Sequence, residues 1–225
     1  MSDSPAAGDP RHVLYHHRTQ GKAVEGVHIR GITDALRADG HTVDILSLPG
    51  ADPYASPKAM SPTRQATWWM RLVSKLPEPF FELAEVAYNA VVAWRILNWL
   101  RRNPDVDFIY ERYSLFLFAT VWIARRRKLP IILEVNDSAI VTRVRPLFFQ
   151  RLAMTIEHWL FRKASGLVFV STVFRDRALA AHGELAPTII TPNAANIDKF
   201  SFTAEQRDRA RAQWDLDGHV VCGYL

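Results

Sequence analysis

The chain repeats one alternation along most of its length. A short run rich in β-branched and aromatic residues is followed by a longer stretch with apolar residues at helical spacing. Parallel strands need crossover connections, and this order supplies them. The short runs are Val13–His17, Val43–Leu48, Asp107–Tyr110, Ile131–Val135, Leu167–Val170 and Thr188–Thr191. They predict a doubly wound α/β domain with a mostly parallel sheet and helices on both faces.

The intervening stretches predict the helices. One opens near Gly26 and stops at Gly40, a residue free to take positive φ. On it Val27, Gly31 and Ala35 form one row and Ile29, Ile32 and Leu36 the next, making one apolar face. Residues 49–63 read as a loop, and residues 64–82 are aromatic, basic and broken by proline. A long helix is expected over 82–102, with Leu83, Ala87, Ala90, Val91, Trp94 and Leu97 on its inner face. Further helices are expected over 115–127, over 146–164, and from Ser171 or Thr172 to Gly183. Thr203 with Gln206 fits a capping box for a last one. Residues 1–11 read as a disordered N-terminus and 12–200 as the domain. Residues 201–225 read as a helix and the first strand of a second domain that the chain lacks.

Composition narrows the partners. The net charge of +5 favours anionic ligands or surfaces, although basic runs such as Arg125–Lys128 also suit solvated helix ends. Nucleic acid is not expected as a partner, because neither aromatic platforms nor helix-turn-helix spacing accompany the charge. The single cysteine, Cys222, allows no internal disulfide and fits a reducing compartment. Residues 1–12 are polar and carry no secretory apolar core, and no uncharged apolar run is long enough to span a bilayer. A cytoplasmic location follows as the expectation. The histidines show no metal-ligand spacing, so no metal is expected. No G-x-S-x-G elbow supports a hydrolase.

In open α/β sheets ligands sit outside the carboxyl ends of the strands, so the loops there are the candidate sites. After the first strand, Gly21, Lys22 and Gly26 can let backbone amides approach a diphosphate or sugar; a turn needing two glycines explains them equally. No G-x-G-x-x-G or P-loop pattern is present. Glu111, Arg112 and Tyr113 follow the third strand and suit either hydroxyl recognition or an internal ion pair. Asn136 and Asp137 follow Glu134, and Asp137 can orient or deprotonate an acceptor hydroxyl, or make an Asx-turn. His28 lies one turn into the first helix, where it faces the crevice or packs. Asn193 lies in a turn with Pro192 that leads on to Asp198 and Phe200.

The motifs in order are Arg18–Lys22, Glu25–Gly31, Ala35–Val43, Ile109–Leu115, Leu133–Asn136, Val168–Ser171 and Thr191–Asn193 on to Phe200. Their order and spacing resemble the N-terminal, acceptor-side half of family 4 glycosyltransferases, from about residue 12 to the end. The resemblance implies a Rossmann-like domain, one half of a GT-B fold. It implies retaining transfer of a hexosyl-type sugar from a nucleotide-sugar, itself a substrate, so that no cofactor is expected. The acceptor would be a saccharide or lipid-linked molecule in cell-surface or exopolysaccharide synthesis. In these terms Gly21, Lys22 and Gly26 form the donor loop, and Asn136 and Asp137 sit at the catalytic position. His28, Glu111, Arg112, Tyr113, Ser171 and Asn193 line the acceptor side. Two departures stand out: Asn-Asp where the family often has a histidine or an acidic residue, and Pro192-Asn193-Ala194 for the usual Pro-Asn-Gly.

The family's donor-binding half has no counterpart here. The chain alone is therefore expected to be inactive, and a donor half on a second chain is an expected partner. A non-catalytic sugar- or nucleotide-binding subunit is the alternative reading. Residues 64–102 mix Trp, Phe, Leu, Arg and Lys, so contact with an anionic membrane on the inner face of the cell is also expected.

Overall fold

The computed structural model describes residues 9–21, 23–55, 78–141, 146–193 and 201–222. Lys22, the run 64–77, Arg143, Arg145, Asp198, Phe200 and Gly223–Leu225 lie outside the described residues. The chain divides into two compact units, one up to Pro192 and one from Asn193.

The first unit is a parallel sheet with strands β1 (His12–His16), β2 (Thr42–Leu46), β3 (Phe108–Arg112), β4 (Ile131–Val135), β5 (Gly166–Phe169) and β6 (Thr188–Ile190). The order is β2-β1-β3-β4-β5-β6, and every pairing is parallel. The direction of winding reverses between β1 and β3, which makes their carboxyl ends the switch-point crevice. The crossovers are α1 (Ala23–Ala38), α2 (Glu78–Ala87), α3 (Asn89–Arg102), α4 (Ala119–Arg127), α5 (Gln150–Lys163) and α6 (Thr172–His182).

Alternation along the strands sorts the core into two faces. Val13 and Tyr15 of β1 pack with Ile29 of α1 and Val43 of β2. Leu14, Ile109, Ile131 and Leu133 point the other way, against Ile96 of α3, Ile123 of α4 and Leu160 of α5. The predicted doubly wound architecture is the one observed.

The helical faces differ from the expectation. Helix α1 starts at Ala23; of the two predicted rows, Ile29, Ile32 and Leu36 pack on the core beside Gly26 and Thr33, whereas Val27, Gly31 and Ala35 face solvent. The expected long helix is broken at Tyr88 into α2 and α3. Its apolar row Leu83, Ala87, Ala90, Val91 and Trp94 is exposed, with Trp94 at 66%. The buried row instead holds Glu82, Asn89, Val92, Ile96 and Leu100.

The two buried polar residues satisfy other helices' ends. A helix start leaves backbone N–H groups without partners. At α4 the local cap position, Phe118, supplies no side-chain bond. Asn89 Oδ1 accepts from Phe118 N at 2.8 Å and Ala119 N at 2.9 Å, and its Nδ2 donates to Val86 O and Phe116 O. Glu82 does the same at the entry to α5, accepting from Phe148 N and Phe149 N at 2.7 Å each. Helix α6 is capped by its own Ser171.

Glu157 on α5 is fully buried. Its Oε1 accepts from Ser138 Oγ at 2.6 Å and His182 Nε2 at 2.7 Å, and its Oε2 from Tyr113 OH at 2.6 Å and Ala139 N at 2.7 Å. Burial pushes this carboxyl up. The bonds from His182, Ser138, Tyr113 and Ala139 outweigh it and hold the pKa below the usual glutamate range. The residue thereby ties the loop after β4 to α5 and α6.

The second unit contains α7 (Ala204–Gln213), which opens with the Thr203–Gln206 capping box. Residues 219–222 are not in a strand.

Two stability outcomes follow. Asn89→Ala leaves buried backbone donors unpaired and should cost about 3 kcal/mol. That lowers the melting temperature by about 6–12 °C, and an unchanged melt would refute the capping role. The depressed pKa of Glu157 means that its contribution is present above the ordinary glutamate value of about 4.3. It is lost as pH falls through the lower folded value. Denaturation against pH should therefore show a shallower acid limb for Glu157→Gln; an equally steep limb would refute the ionised clamp.

Candidate functional site

The switch point gathers a set of polar side chains on the α1 face of the sheet. Tyr15 and His17 come from β1 and its exit, Tyr110 and Arg112 from β3, and Glu134 and Asn136 from β4 and its exit. The register aligns these strands tip to tip. His28 reaches the cluster from α1.

Glu134 is its centre and is almost fully buried. Its Oε1 accepts from His28 Nε2 at 2.6 Å, from Arg112 Nη1 at 3.2 Å and from Asn136 Nδ2. Its Oε2 accepts from Tyr15 OH at 3.2 Å. Burial pushes the carboxyl pKa up, while His28, Arg112 and Asn136 pull it down and prevail, so Glu134 is an anion. Burial, with that anion beside them, pushes Tyr15 and Tyr110 far above the ordinary phenol value, so both keep their protons. The two rings stack with centroids 5.4 Å apart. Arg112 and His28 are only partly buried, so the cluster offers a guanidinium, an imidazole and an amide to a ligand, fixed by one carboxylate beneath.

The loop after β1 packs tightly over this corner. Gly21 has φ +65°, and a Cβ there would lie 1.9 Å from Ala51 O; a Cβ on Gly26 would lie 2.3 Å from Gly21 O. Both glycines are thus required by chain packing. The loop after β2 is strapped to α1 through Arg30 Nη1 to Pro53 O at 3.0 Å and through Tyr54 OH with Thr33 at 2.7 Å. Arg18 turns toward α2 and α3, bonding Glu85 at 2.7 Å with its guanidinium over the Tyr88 ring.

Not all the expected residues converge here. His28, Arg112 and Asn136 do, with Gly21 and Gly26 shaping the neighbouring loop. Glu111 and Arg112 lie within β3 rather than after it, so alternation sends Glu111 to the other face. There Glu111 is buried in a short contact with His16 Nδ1, with Thr120 beside it. Tyr113 is in the Glu157 network. Asp137 Oδ1 accepts from Ser138 N at 2.8 Å, a local turn bond. Ser171 caps α6, with Phe174 N at 3.2 Å. Asn193 is exposed and belongs to the second unit. Sequence reasoning did not single out Glu134 as the hub or His17 as a partner of the Gly21 loop; both stand at strand ends, which was the one available signal. Among the described residues no group of three or more His, Cys, Asp or Glu side chains could hold a metal ion. No helix among them is long and apolar enough to cross a membrane.

Comparison with known proteins places this architecture. The model of the glycosyl transferase 4-like domain matches residues 25–194. A glycosyltransferase from Rickettsia africae superposes with a TM-score of 0.57 at 13% identity, covering 95% of this chain and 52% of that one. A sucrose-phosphate synthase from Thermosynechococcus elongatus superposes with a TM-score of 0.56 at 14% identity, covering 92% of this chain and 53% of that one. The chain therefore spans about half the length of these solved structures, and at such identities the likeness is one of fold. Comparison with curated proteins gives no match. The parallel sheet is the Rossmann-like half of a GT-B fold, and the chain belongs to the glycosyl transferase 4-like domain family.

Proposed function

We propose that the chain forms the acceptor-side half of a retaining, hexosyl-type glycosyltransferase. It takes a sugar from a nucleotide-sugar and delivers it to a saccharide or lipid-linked acceptor in cell-surface or exopolysaccharide synthesis. The observation that carries this reading is the Arg112–Glu134–His28 cluster at the switch point, joined by Asn136. Sugar hydroxyls need donors and acceptors held in fixed directions, and a buried carboxylate binding its neighbours from below supplies that rigidity. In this reading Arg112, His28 and Asn136 meet substrate hydroxyls, and Glu134 positions them. The donor-binding half completes the cleft, within one polypeptide or on a second chain, and carries most of the electrostatic stabilisation of the leaving diphosphate.

A peripheral position on the inner face of the membrane belongs to the same reading. The outward row of α2 and α3 supports it: Phe80, Leu83, Val91 and Trp94 are exposed, and Arg101 and Arg102 are exposed at the end of α3. Apolar side chains flanked by cations are what an anionic bilayer surface binds.

Two experiments test these statements. Deleting the coding region in the source cell should remove a surface glycan or exopolysaccharide, read by compositional sugar analysis. Wild-type sequence should restore it, and Arg112→Met should restore about a hundredfold less transfer. An unchanged glycan profile after deletion overturns the function. In flotation assays the protein should bind vesicles containing phosphatidylglycerol but not neutral ones, and Leu83→Asp with Trp94→Asp should abolish binding. Equal binding by that variant overturns the membrane face.

A further inference from the structure

Helices α3, α4 and α5 lie side by side on one face of the sheet. Ile96, Ile123 and Leu160 pack them into the same core, and α4 touches both neighbours. Neither α3 nor α4 contains an acidic residue, and the one in α5, Glu157, is fully buried. All three have basic last turns, ending at Arg102, Arg127 and Lys163. The outward side of this layer therefore carries cations and no exposed carboxylate.

Helix polarity does not account for the pattern. A macrodipole favours cations in the last turn and, equally, anions in the first. Helix α1 has Glu25 in its first turn and α7 has Glu205, whereas α3, α4 and α5 have no acid in theirs. The three helices share an exclusion of negative charge along their whole outward length. Acids that follow α3 and α6 are already engaged: Asp105 by His12, Asp107 by Arg11 and Glu184 by Arg162. Among the described residues Arg162 is the only cation of these last turns held in an ion pair.

The same surface is aromatic. Trp94 is 66% exposed on α3 and Trp122 is 42% exposed on α4, with the Arg126 guanidinium 4.3 Å from the centre of the Trp122 ring. Water alone gives no reason to expose indoles. At a bilayer surface the ring sits at the acyl boundary while the cation meets lipid phosphate. Three helices side by side also make a broad surface, unlike the single protruding helix that enters a nucleic-acid groove.

We propose that the outward face of the α3–α4–α5 layer is a docking surface for anionic lipid headgroups, whose phosphates are bound by the last-turn cations. This rests on the membrane reading above and extends it from the apolar row of α2 and α3 to two further helices. With the layer on the bilayer, the strands run along the membrane. One helix diameter, about 10 Å, separates the sheet from the headgroups. The Glu134 cluster lies on the opposite face of the sheet, so a lipid-linked acceptor reaches it around the strand tips.

The test is flotation of the whole chain with phosphatidylcholine vesicles containing phosphatidylglycerol. Arg126→Gln with Lys163→Gln removes two cations from the layer. Arg207→Gln with Arg209→Gln removes two from α7, in the second unit, and leaves the same net charge. One cation near an anionic surface is worth about fivefold in partition, so the layer pair should bind about twentyfold less. The α7 pair should bind like wild type. All four positions are exposed, so both variants should melt with wild type. Arg102→Gln with Arg127→Gln is a second layer pair and should show the same loss. Layer pairs that float like wild type overturn the assignment, as does an equal loss in the α7 pair, which would reduce the effect to net charge. Tighter binding to a polynucleotide than to vesicles, lost in the layer pairs, overturns it as well. Wild-type chain that fails to float overturns this inference and the membrane reading together. Wild type that floats beside unaffected layer pairs overturns this one alone. Glycan transfer is read separately in the deletion strain.

Discussion

A single buried anion organises the crevice. Glu134 is nearly without solvent contact and draws one donor each from α1, β3, β1 and its own exit loop. Burying a carboxylate is costly, and the cost is met only when every lone pair is engaged and a cation stands close. That requirement fixes Arg112, His28, Asn136 and Tyr15 relative to one another. Their geometry comes from the last turn of strand hydrogen bonding, so the site inherits the stiffness of the sheet rather than the mobility of loops. A pair of this kind is poor evidence for stability and good evidence for a specified arrangement.

The same economy appears on the opposite face. Asn89, Glu82 and Glu157 are buried polar residues that bind backbone of distant segments, entering α4, entering α5 and in the loop after β4. Each replaces a local cap or turn bond with a long-range one. The crossover helices are thereby tied to one another through their ends as well as through apolar packing. The loop carrying Asn136 is held from both sides, by Glu134 on one face and, through Ser138 and Ala139, by Glu157 on the other.

The architecture was legible because alternation of strand and helix patterns is a property of long segments, and all six strands of the sheet fall within the predicted runs or a residue or two of them. The inward face of α1 was legible only in its Ile29, Ile32 and Leu36 row, and that of α2 with α3 was not. Periodicity assigns the richest apolar row to the core, whereas here the inward row also carries Thr33, Glu82 and Asn89, and the partners of Glu82 and Asn89 lie on distant segments of the chain. The site was legible to the extent that it lies at strand ends: His28, Arg112 and Asn136 could be named from position alone. Glu111 lies inside β3, which runs two residues past Tyr110, and its buried contact with His16 matches the internal-pair alternative rather than hydroxyl recognition. Tyr113 and Ser171 carry chemistry-bearing groups already committed to buried or capping bonds, which no local pattern reveals.

The contact between Gly21 and its two neighbours has a mechanical consequence. The backbone there is pressed between the Ala51 carbonyl and the α-carbon of Gly26, with no side chain to act as a cushion. The exit of the first strand, the exit of the second and the opening turn of the first helix are therefore meshed like teeth. Backbone rests directly on backbone at both contacts, so any side chain added at either glycine would force the three segments apart.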